Sequence, residues 1–271
     1  MGGTNLRAAL VDDSGIVKKV VAPCPADAED PATVLEAIYD LVSSIITPEV
    51  EAIGAGVPSV VDVDKGIVYN VANIPSWKEV HLTDFLSERF PGLCIRINND
   101  ANCFALGEAC FGSAKGKKDV VGLALGTGTG AGIVIGGQLF NGANVGAGEV
   151  GYLPYLDSFY ENYTCGEFFN RNGINSKEAA ELAKKGNTGM IELWNEFGKH
   201  VGSLVKSLLL AYDPEAIVIG GGMSAASDLY EKAMRDSLKD FYYPHTVEML
   251  SLSFSTTPDV ALLGAASLCK H

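Results

Sequence analysis

The feature that most constrains the fold is a pair of glycine- and threonine-rich turns, each followed by an apolar, strand-like run. One turn covers residues 126–132 and lies between the apolar runs 120–125 and 133–135. Glycine lets backbone approach a ligand closely or take positive φ, and successive free N–H groups in such a turn suit an anion such as phosphate. The other turn covers residues 2–5. Two such turns so far apart indicate two related domains, because solenoid repeats have much shorter periods.

Three types of phosphate-binding turn can be compared with residues 126–132. A Walker A loop needs a Lys-Ser or Lys-Thr pair after its last glycine, and none follows here. A Rossmann loop opens a helix, whereas the β-branched residues after Gly132 and the Gly136-Gly137 pair predict a strand and a hairpin. Two interpretations stay open: a phosphate-binding β-hairpin of the actin-like ATPase type, and an ordinary glycine-rich hairpin without a ligand.

Composition places the chain among globular proteins that bury a substantial core, with 47% hydrophobic and 20% charged residues. No apolar run reaches the length of a membrane span and no export signal is visible, which predicts a cytoplasmic protein with no membrane partner. The net charge of −13 argues against a nucleic-acid partner, because that binding needs Lys and Arg to neutralise phosphates. The six cysteines form no C-x-C or C-x-x-C pair, so we expect reduced thiols and no metal site.

The hydrophobic pattern predicts alternating strands and helices. A strand predicted over 93–97 runs into Asn98-Asn99-Asp100 and a helix over 101–111. The carboxyl ends of strands are where open α/β sheets bind ligands, so Asp100 is a candidate site residue. A strand over 216–219 likewise runs into three glycines at 220–222. Further strands are predicted over 5–11, 16–21, 52–57 and 247–254, and helices from Pro31, over 82–90, from Ser176 to Lys185, and over 189–212, 225–241 and 260–269.

Segments along essentially the whole chain resemble the motifs of the ROK family of bacterial sugar kinases and sugar-responsive repressors. Residues 2–5 resemble the first phosphate motif of the family, residues 125–130 the second, and residues 218–222 the adenosine motif. Asn98-Asn99-Asp100 resembles its sugar and catalytic motif. Each match is weak alone, and their common order and spacing make the resemblance specific. The segments that resemble sugar contacts are Asn73 with Trp77, and Glu149-Val150-Gly151.

The resemblance implies an α/β fold of two ribonuclease-H-like (actin-like ATPase) domains with an interdomain cleft that holds ATP and a sugar. We expect a small N-terminal domain formed by residues 1–101 together with 258–271. We expect a large C-terminal domain formed by residues 102–257. The last helix is then expected to return to the first domain.

The resemblance also implies an ATP-dependent kinase that phosphorylates a hexose, glucose or a close derivative at O6, with Mg²⁺ at the phosphates. Asp100 is then the catalytic base, whereas the plainer interpretation makes it a helix cap before Ala101. Polar side chains that match the needs of sugar hydroxyls are Asn73, Asn99, Asp100, Glu149, Tyr152 and Glu167. The expected ATP contacts are Gly2, Gly3, Thr4, Asn5, Gly126, Thr127, Gly128, Thr129, Gly130, Gly220, Gly221 and Gly222.

The chain departs from the family pattern in four places. The family has a strand, ending in an aspartate near the metal, ahead of its first Gly-Gly-Thr, whereas Met1 directly precedes Gly2 here. If the protein begins at Met1, the first sheet is expected to lack a central strand, and an internal methionine taken as the start is the other explanation. Tyr152 stands where a histidine is common, and its hydroxyl either replaces a hydrogen bond of that histidine or packs. Of the zinc-binding cysteines of the family only Cys165 remains, so no zinc is expected.

The fourth departure is that no helix-turn-helix segment precedes the motifs, which favours a kinase over a repressor. A non-catalytic sugar-binding regulator or sensor derived from the same family is the alternative. An actin-like filament or chaperone ATPase would leave the sugar-contact segments unexplained. A homodimer is an expectation from the family, and Trp77 is expected to anchor its loop without contacting sugar.

Overall fold

The computed structural model describes residues 1, 4–143 and 146–270 of the chain. Strands and helices alternate, as the hydrophobic pattern predicts. The first half contains β1 (Asn5–Asp12), β2 (Gly15–Pro23), α1 (Pro31–Ser43), β3 (Ala52–Val57), β4 (Val60–Asp62), β5 (Ile67–Tyr69), β6 (Glu79–His81), α2 (Leu82–Arg89), β7 (Cys94–Asn99) and α3 (Asp100–Cys110). The second half contains β8 (Val120–Leu125), β9 (Thr129–Ile135), β10 (Gln138–Leu139), β11 (Pro154–Tyr155), β12 (Ser158–Phe159), α4 (Glu161–Thr164), α5 (Gly166–Arg171), α6 (Ser176–Lys184), α7 (Thr188–Tyr212), β13 (Ala216–Gly220), α8 (Ser227–Ser237), α9 (Pro244–Met249), β14 (Ser251–Phe254) and α10 (Val260–Ser267).

The second half is organised around a five-stranded sheet in the order β10-β9-β8-β13-β14. β9 is antiparallel to β8, whereas β13 is parallel to both β8 and β14. Successive side chains of a strand point to opposite faces, so Val121 and Leu123 pack with the buried side of α7 while Val120 packs with Phe104 of α3. Because helices cover both faces of the sheet at β8, the sequence of this strand is a continuous apolar run.

The first half contains two separate strand pairs, the antiparallel β1–β2 and the parallel β3–β7, beside a β4-β5-β6 meander. Among the described residues, β1 pairs with no strand other than β2, and β3 with none other than β7. A cavity of about 890 Å³ lies between β1 and β3, and side chains of α1 and α10 line it. The Met1 ammonium lies at this cavity and donates to the Gly56 carbonyl oxygen at 2.5 Å. The two strand pairs thus lie on opposite sides of this cavity.

The last helix packs against the first half, as the family resemblance implies. A Cβ built on Gly264 of α10 would lie 1.7 Å from the Cys103 carbonyl oxygen of α3, so only glycine fits at this crossing. A Cβ on Gly54 of β3 would lie equally close to the Ala265 carbonyl oxygen, at 1.7 Å. Helix α10 is therefore held against α3 and β3 by direct backbone contact. No helix in the described ranges is both long and apolar enough to span a membrane.

The sequence-based prediction is wrong in several details of the second half. Residues 247–249, predicted as strand, end helix α9, because Pro244 at its first turn starts a helix. The helix predicted over 225–241 is α8 flanked by 3₁₀ turns at 222–226 and 238–240. Helix α6 is capped by Asn175, not Ser176, since the Asn175 side chain accepts the Glu178 amide at 2.9 Å.

The crossing of α10 over α3 gives a stability prediction. Gly264→Ala should lower the free energy of unfolding by about 2 kcal/mol, because overpacking outweighs the better helix propensity of alanine. Gly189→Ala is the matched control, since Gly189 lies in α7 with only ordinary contact at 3.5 Å from the Asn187 side chain. Urea unfolding of both variants measures the difference. Equal stability of the two variants would contradict the close packing.

Candidate active site

The turns predicted to bind ligands come together where β7, β8 and β13 end. The predicted adenosine turn, residues 220–222, adjoins the hairpin turn, because a Cβ on Gly221 (φ 84°) would lie 2.3 Å from the Leu125 carbonyl oxygen. A Cβ on Gly130 would lie 3.7 Å from the Ala101 Cβ, which places the first turn of α3 beside the same hairpin. The two predicted nucleotide turns of the second half and the start of α3 therefore form one site.

Asp100 is the first residue of α3, and the cap of this helix is its neighbour. The Asn99 side-chain oxygen accepts the Ala101 amide at 2.7 Å, so the plainer interpretation of Asp100 as the cap is wrong. Solvent reaches the Asp100 side chain through the cleft, while protein atoms surround it on other sides. This burial raises the pKa of the Asp100 carboxyl above its ordinary value, and the Met1 ammonium opposes part of the rise.

Three of the predicted sugar ligands line one small cavity between the two halves. The cavity has a volume of about 100 Å³. The Asn99 side chain also donates to the Ser59 carbonyl oxygen at 3.1 Å, which ties the end of β7 to the loop after β3. One Nδ2 hydrogen of Asn99 is left for a ligand. The polar residues and glycines that line the cavity are Ser59, Asn99, Asp100, Asn102, Gly130, Gly148 and Glu149.

Carboxylates give this cleft a negative potential. Burial raises the pKa of Glu149 above its ordinary value, and the negative charges of Glu161 and Asp100 raise it further. Protein atoms surround only part of Glu149, which keeps contact with solvent, and Glu161 is half-buried at the start of α4. Hydroxyl groups of a neutral ligand suit these acceptors, while a bound phosphate needs compensating positive charge or amide donors.

The hairpin turn presents one threonine to solvent and hides the other. Thr127 is exposed at the tip, whereas Thr129 is buried and its amide donates to Glu161 Oε2 at 2.9 Å. The Thr129 and Thr164 hydroxyls lie 2.9 Å apart, and the Thr164 hydroxyl donates to the Tyr160 carbonyl oxygen at 2.9 Å. Thr129 is therefore the donor to Thr164. The Thr129 hydroxyl thus contacts α4, and the predicted contact of Thr129 with ATP stays a prediction.

The segment from α4 to α5 supports the same turn. The Gly166 amide donates to the Gly126 carbonyl oxygen at 3.0 Å, and the Cys165 thiol lies 3.1 Å from the Thr127 carbonyl oxygen. Burial raises the pKa of the Cys165 thiol to about 11, so the thiolate that zinc requires is disfavoured. Among the described residues, no group of three His, Cys, Asp or Glu side chains could hold a metal ion.

Sequence reasoning missed an amide network beneath the site. Asn98 Nδ2 donates to Asn141 Oδ1 at 3.0 Å, and Asn102 Nδ2 donates to Asn98 Oδ1 at 2.8 Å. These contacts join the end of β7, the first turn of α3 and the loop after β10. Asn98 belongs to the Asn98-Asn99-Asp100 motif, and Asn102 lies in the first turn of the helix that follows it, which was the available signal.

Three predicted sugar ligands lie away from this cavity. Asn73 is exposed in the turn between β5 and β6. Tyr152 is 62% exposed and its ring packs on Phe159, with centroids 5.5 Å apart. Glu167 is exposed on α5 and accepts a hydrogen bond from Asn170 Nδ2 at 3.2 Å. None of the three lines the small cavity formed by the described residues, so their roles as ligands stay predictions.

The first glycine turn is only partly defined. Gly2 and Gly3 lie outside the described residues, and Thr4 and Asn5 are exposed where β1 begins. Trp77 is fully buried, and its indole N–H donates to a carbonyl oxygen in the first turn of α1 at 3.2 Å. Trp77 is thus a loop anchor, as predicted.

Comparison with known proteins identifies relatives over the full length of the chain. The model of the ROK family matches residues 1–170 and 156–271. A glucokinase of Thermotoga maritima is 27% identical over 100% of this chain and 96% of its own length. An N-acetyl-D-glucosamine kinase of Photobacterium profundum is 31% identical over 66% of this chain and 68% of its own length.

Solved structures give the same result for the fold. A ROK hexokinase of Thermus thermophilus superposes with a TM-score of 0.84 at 27% identity, over 99% of this chain and 95% of its own. A ROK family glucokinase of Streptomyces griseus, in complex with glucose and AMPPNP, superposes with a TM-score of 0.79 at 27% identity, over 99% of this chain and 96% of its own. The fold is therefore the two-domain, actin-like α/β fold, while the domain boundaries given above stay predictions.

The cap of α3 gives a test of how Asp100 is positioned. Asn99→Ala should lower the free energy of unfolding by about 1 kcal/mol, as loss of a helix cap does. Asn187→Ala, which removes the cap of α7, should cost a similar amount. Only Asn99→Ala should weaken hexose binding, measured by calorimetry, because only this cap lies in the cavity. Unchanged hexose affinity in Asn99→Ala would remove Asn99 from the site.

Proposed function

The chain belongs to the ROK family, and from this premise we propose that it is an ATP-dependent hexose kinase. Curated relatives support a sugar kinase, and the related structure with glucose and AMPPNP supports ATP as the phosphoryl donor. The observation that carries the proposal is the position of Asp100. Its carboxyl lines a cavity together with Asn99 and Glu149, directly beside the glycine-rich hairpin turn.

In the proposed reaction, a hexose hydroxyl attacks the γ-phosphorus of ATP, and the bond from that phosphorus to the departing ADP oxygen breaks. Asp100 accepts the proton of the hydroxyl, and its raised pKa makes its carboxylate a stronger base than an ordinary aspartate. Asn99 and Glu149 bind neighbouring sugar hydroxyls. Phosphoryl transfer depends mainly on positioning and charge stabilisation, which these fixed groups supply.

The glycine turns form the proposed nucleotide site. Mg²⁺, when bound, offsets charge on the β- and γ-phosphate oxygens. It typically binds through one or two carboxylates and the substrate phosphates, so we expect it to enter with ATP and not to occupy a preformed protein cage. Residues 220–222 lie beside the adenosine. The residues proposed at the phosphates are Gly126, Thr127, Gly128, Thr129 and Gly130 on one side, and Gly2, Gly3, Thr4 and Asn5 on the other.

The proposed substrate is glucose or a close derivative, phosphorylated at O6. The relatives include glucokinases and N-acetyl-D-glucosamine kinases, so an N-acetylated hexosamine belongs in any substrate panel. We place Asn73, Tyr152 and Glu167 at the rim of the sugar site. The proposal also includes a cytoplasmic protein and a homodimer, whereas a non-catalytic sugar-binding regulator is the alternative function.

The decisive variant is Asp100→Asn. It should lower hexose-dependent ADP release by about a hundredfold or more, the usual contribution of a general base. Hexose affinity should change little, because the amide keeps the shape and an acceptor oxygen. Coupled ADP release with ATP, Mg²⁺ and a hexose panel measures turnover, and calorimetry measures binding.

The control is Asp64→Asn, which changes the same functional group in the exposed turn between β4 and β5. This variant should keep full turnover. Equal turnover in wild type and Asp100→Asn would exclude Asp100 as the base. Hexose binding without turnover in the wild type would instead favour the non-catalytic regulator.

A further inference from the structure

Glu161 lies against the backbone of the hairpin turn that is proposed to hold phosphate. Its Oε2 accepts the Thr129 amide at 2.9 Å. A Cβ built on Gly128 would lie 2.7 Å from the same oxygen. The carboxylate therefore lies directly against the turn, and in this position it leaves room only for glycine at residue 128. Glu161 is half-buried at the start of α4, and its carbonyl oxygen accepts the Cys165 thiol at 3.1 Å. A carboxylate thus occupies an amide donor of an anion-binding turn.

Glu161 also acts on the small cavity beside the hairpin, although it does not line that cavity. Its charge raises the pKa of Glu149, which lines the small cavity with Asp100. These three carboxylates therefore act on the same small volume. An incoming polyphosphate meets negative charge there as well as amide donors, and like charges in a partly buried site repel more strongly than in water.

The hydrogen bonds around Thr129 show which donors can change partners. Its hydroxyl proton is committed to Thr164, whose own proton goes to the Tyr160 carbonyl oxygen. This chain of bonds fixes the side chain within the buried interface with α4. The Thr129 amide, by contrast, depends on the Glu161 side chain alone, which can rotate away. The Thr129 amide is therefore the donor that can exchange Glu161 for another acceptor.

We propose that Glu161 competes with the nucleotide phosphate for the Thr129 amide and so sets the affinity of the chain for nucleotides. The inference rests on the proposed function, because it concerns the phosphate site of that kinase. Glu161 is a positioning residue. It accepts the Thr129 amide when no nucleotide is bound, and it releases this amide to the phosphate when a nucleotide binds. If Glu161 only stabilised the turn, the opposite result is expected, because loss of its hydrogen bond with the Thr129 amide would weaken nucleotide binding.

The test measures ADP binding without Mg²⁺ and without sugar, by calorimetry, in wild type, Glu161→Gln and Glu161→Ala. Glu161→Gln keeps an acceptor oxygen for the Thr129 amide but removes the charge. We expect it to bind ADP about threefold to tenfold more tightly, the range for a partly solvated charge pair. Glu161→Ala should bind at least as tightly as Glu161→Gln. The gain should shrink as salt is raised, because screening weakens repulsion.

The matched control is Glu248→Gln, which removes the same charge from the exposed end of α9 and should leave ADP affinity unchanged. Equal or weaker ADP binding by Glu161→Gln would overturn the proposal and leave the kinase function untouched. A gain in Glu161→Ala that persists in part at high salt would support competition for the amide itself, because screening removes only the repulsion. Absence of ADP binding in every variant, wild type included, would instead count against the proposed function.

Discussion

The position of the candidate base depends on close backbone packing between α3 and the β8–β9 hairpin. A Cβ on Gly132 of β9 would lie 2.4 Å from the Ala101 carbonyl oxygen in the first turn of α3. The separation between Asp100 and the hairpin turn is therefore set by main-chain contact, which varies far less than contact through long side chains. Interiors packed at this density transmit small displacements, so a change at this interface moves the base relative to the phosphate site.

The same helix connects the two halves of the molecule. α3 begins at the end of β7 in the first half, lies on the sheet of the second half, and is crossed by α10 at Gly264. The amide network of Asn98, Asn102 and Asn141 fixes its first turn from below. The proposed base is thus held by a rigid element, while the polar loops around it carry the proposed sugar contacts. Catalysis by positioning requires a rigidly held reacting group, because misplacing such a group by about 1 Å can lower the rate a hundredfold.

The sequence predicts the parts of the fold that depend on local chemistry. α1 begins at Pro31 as predicted, capped by Asp30, and the glycine-rich turn joins β8 to β9. It does not predict which of two good cap residues starts α3, because that depends on the ladder with β3 extending to Asn99. The orientation of Thr129 depends on α4, far along the chain, so no local pattern indicates it. The family motifs bring Asp100, Asn99 and Glu149 to one cavity, whereas Asn73, Tyr152 and Glu167 lie outside it.

The most direct test of this account is a crystal structure of the chain with glucose and a non-hydrolysable ATP analogue. The account predicts that a sugar hydroxyl lies within hydrogen-bond reach of the Asp100 carboxylate, about 2.6–3.2 Å. It also predicts that the terminal phosphate lies at the hairpin turn between β8 and β9. A sugar bound away from Asp100, or phosphates placed away from that turn, would contradict the account.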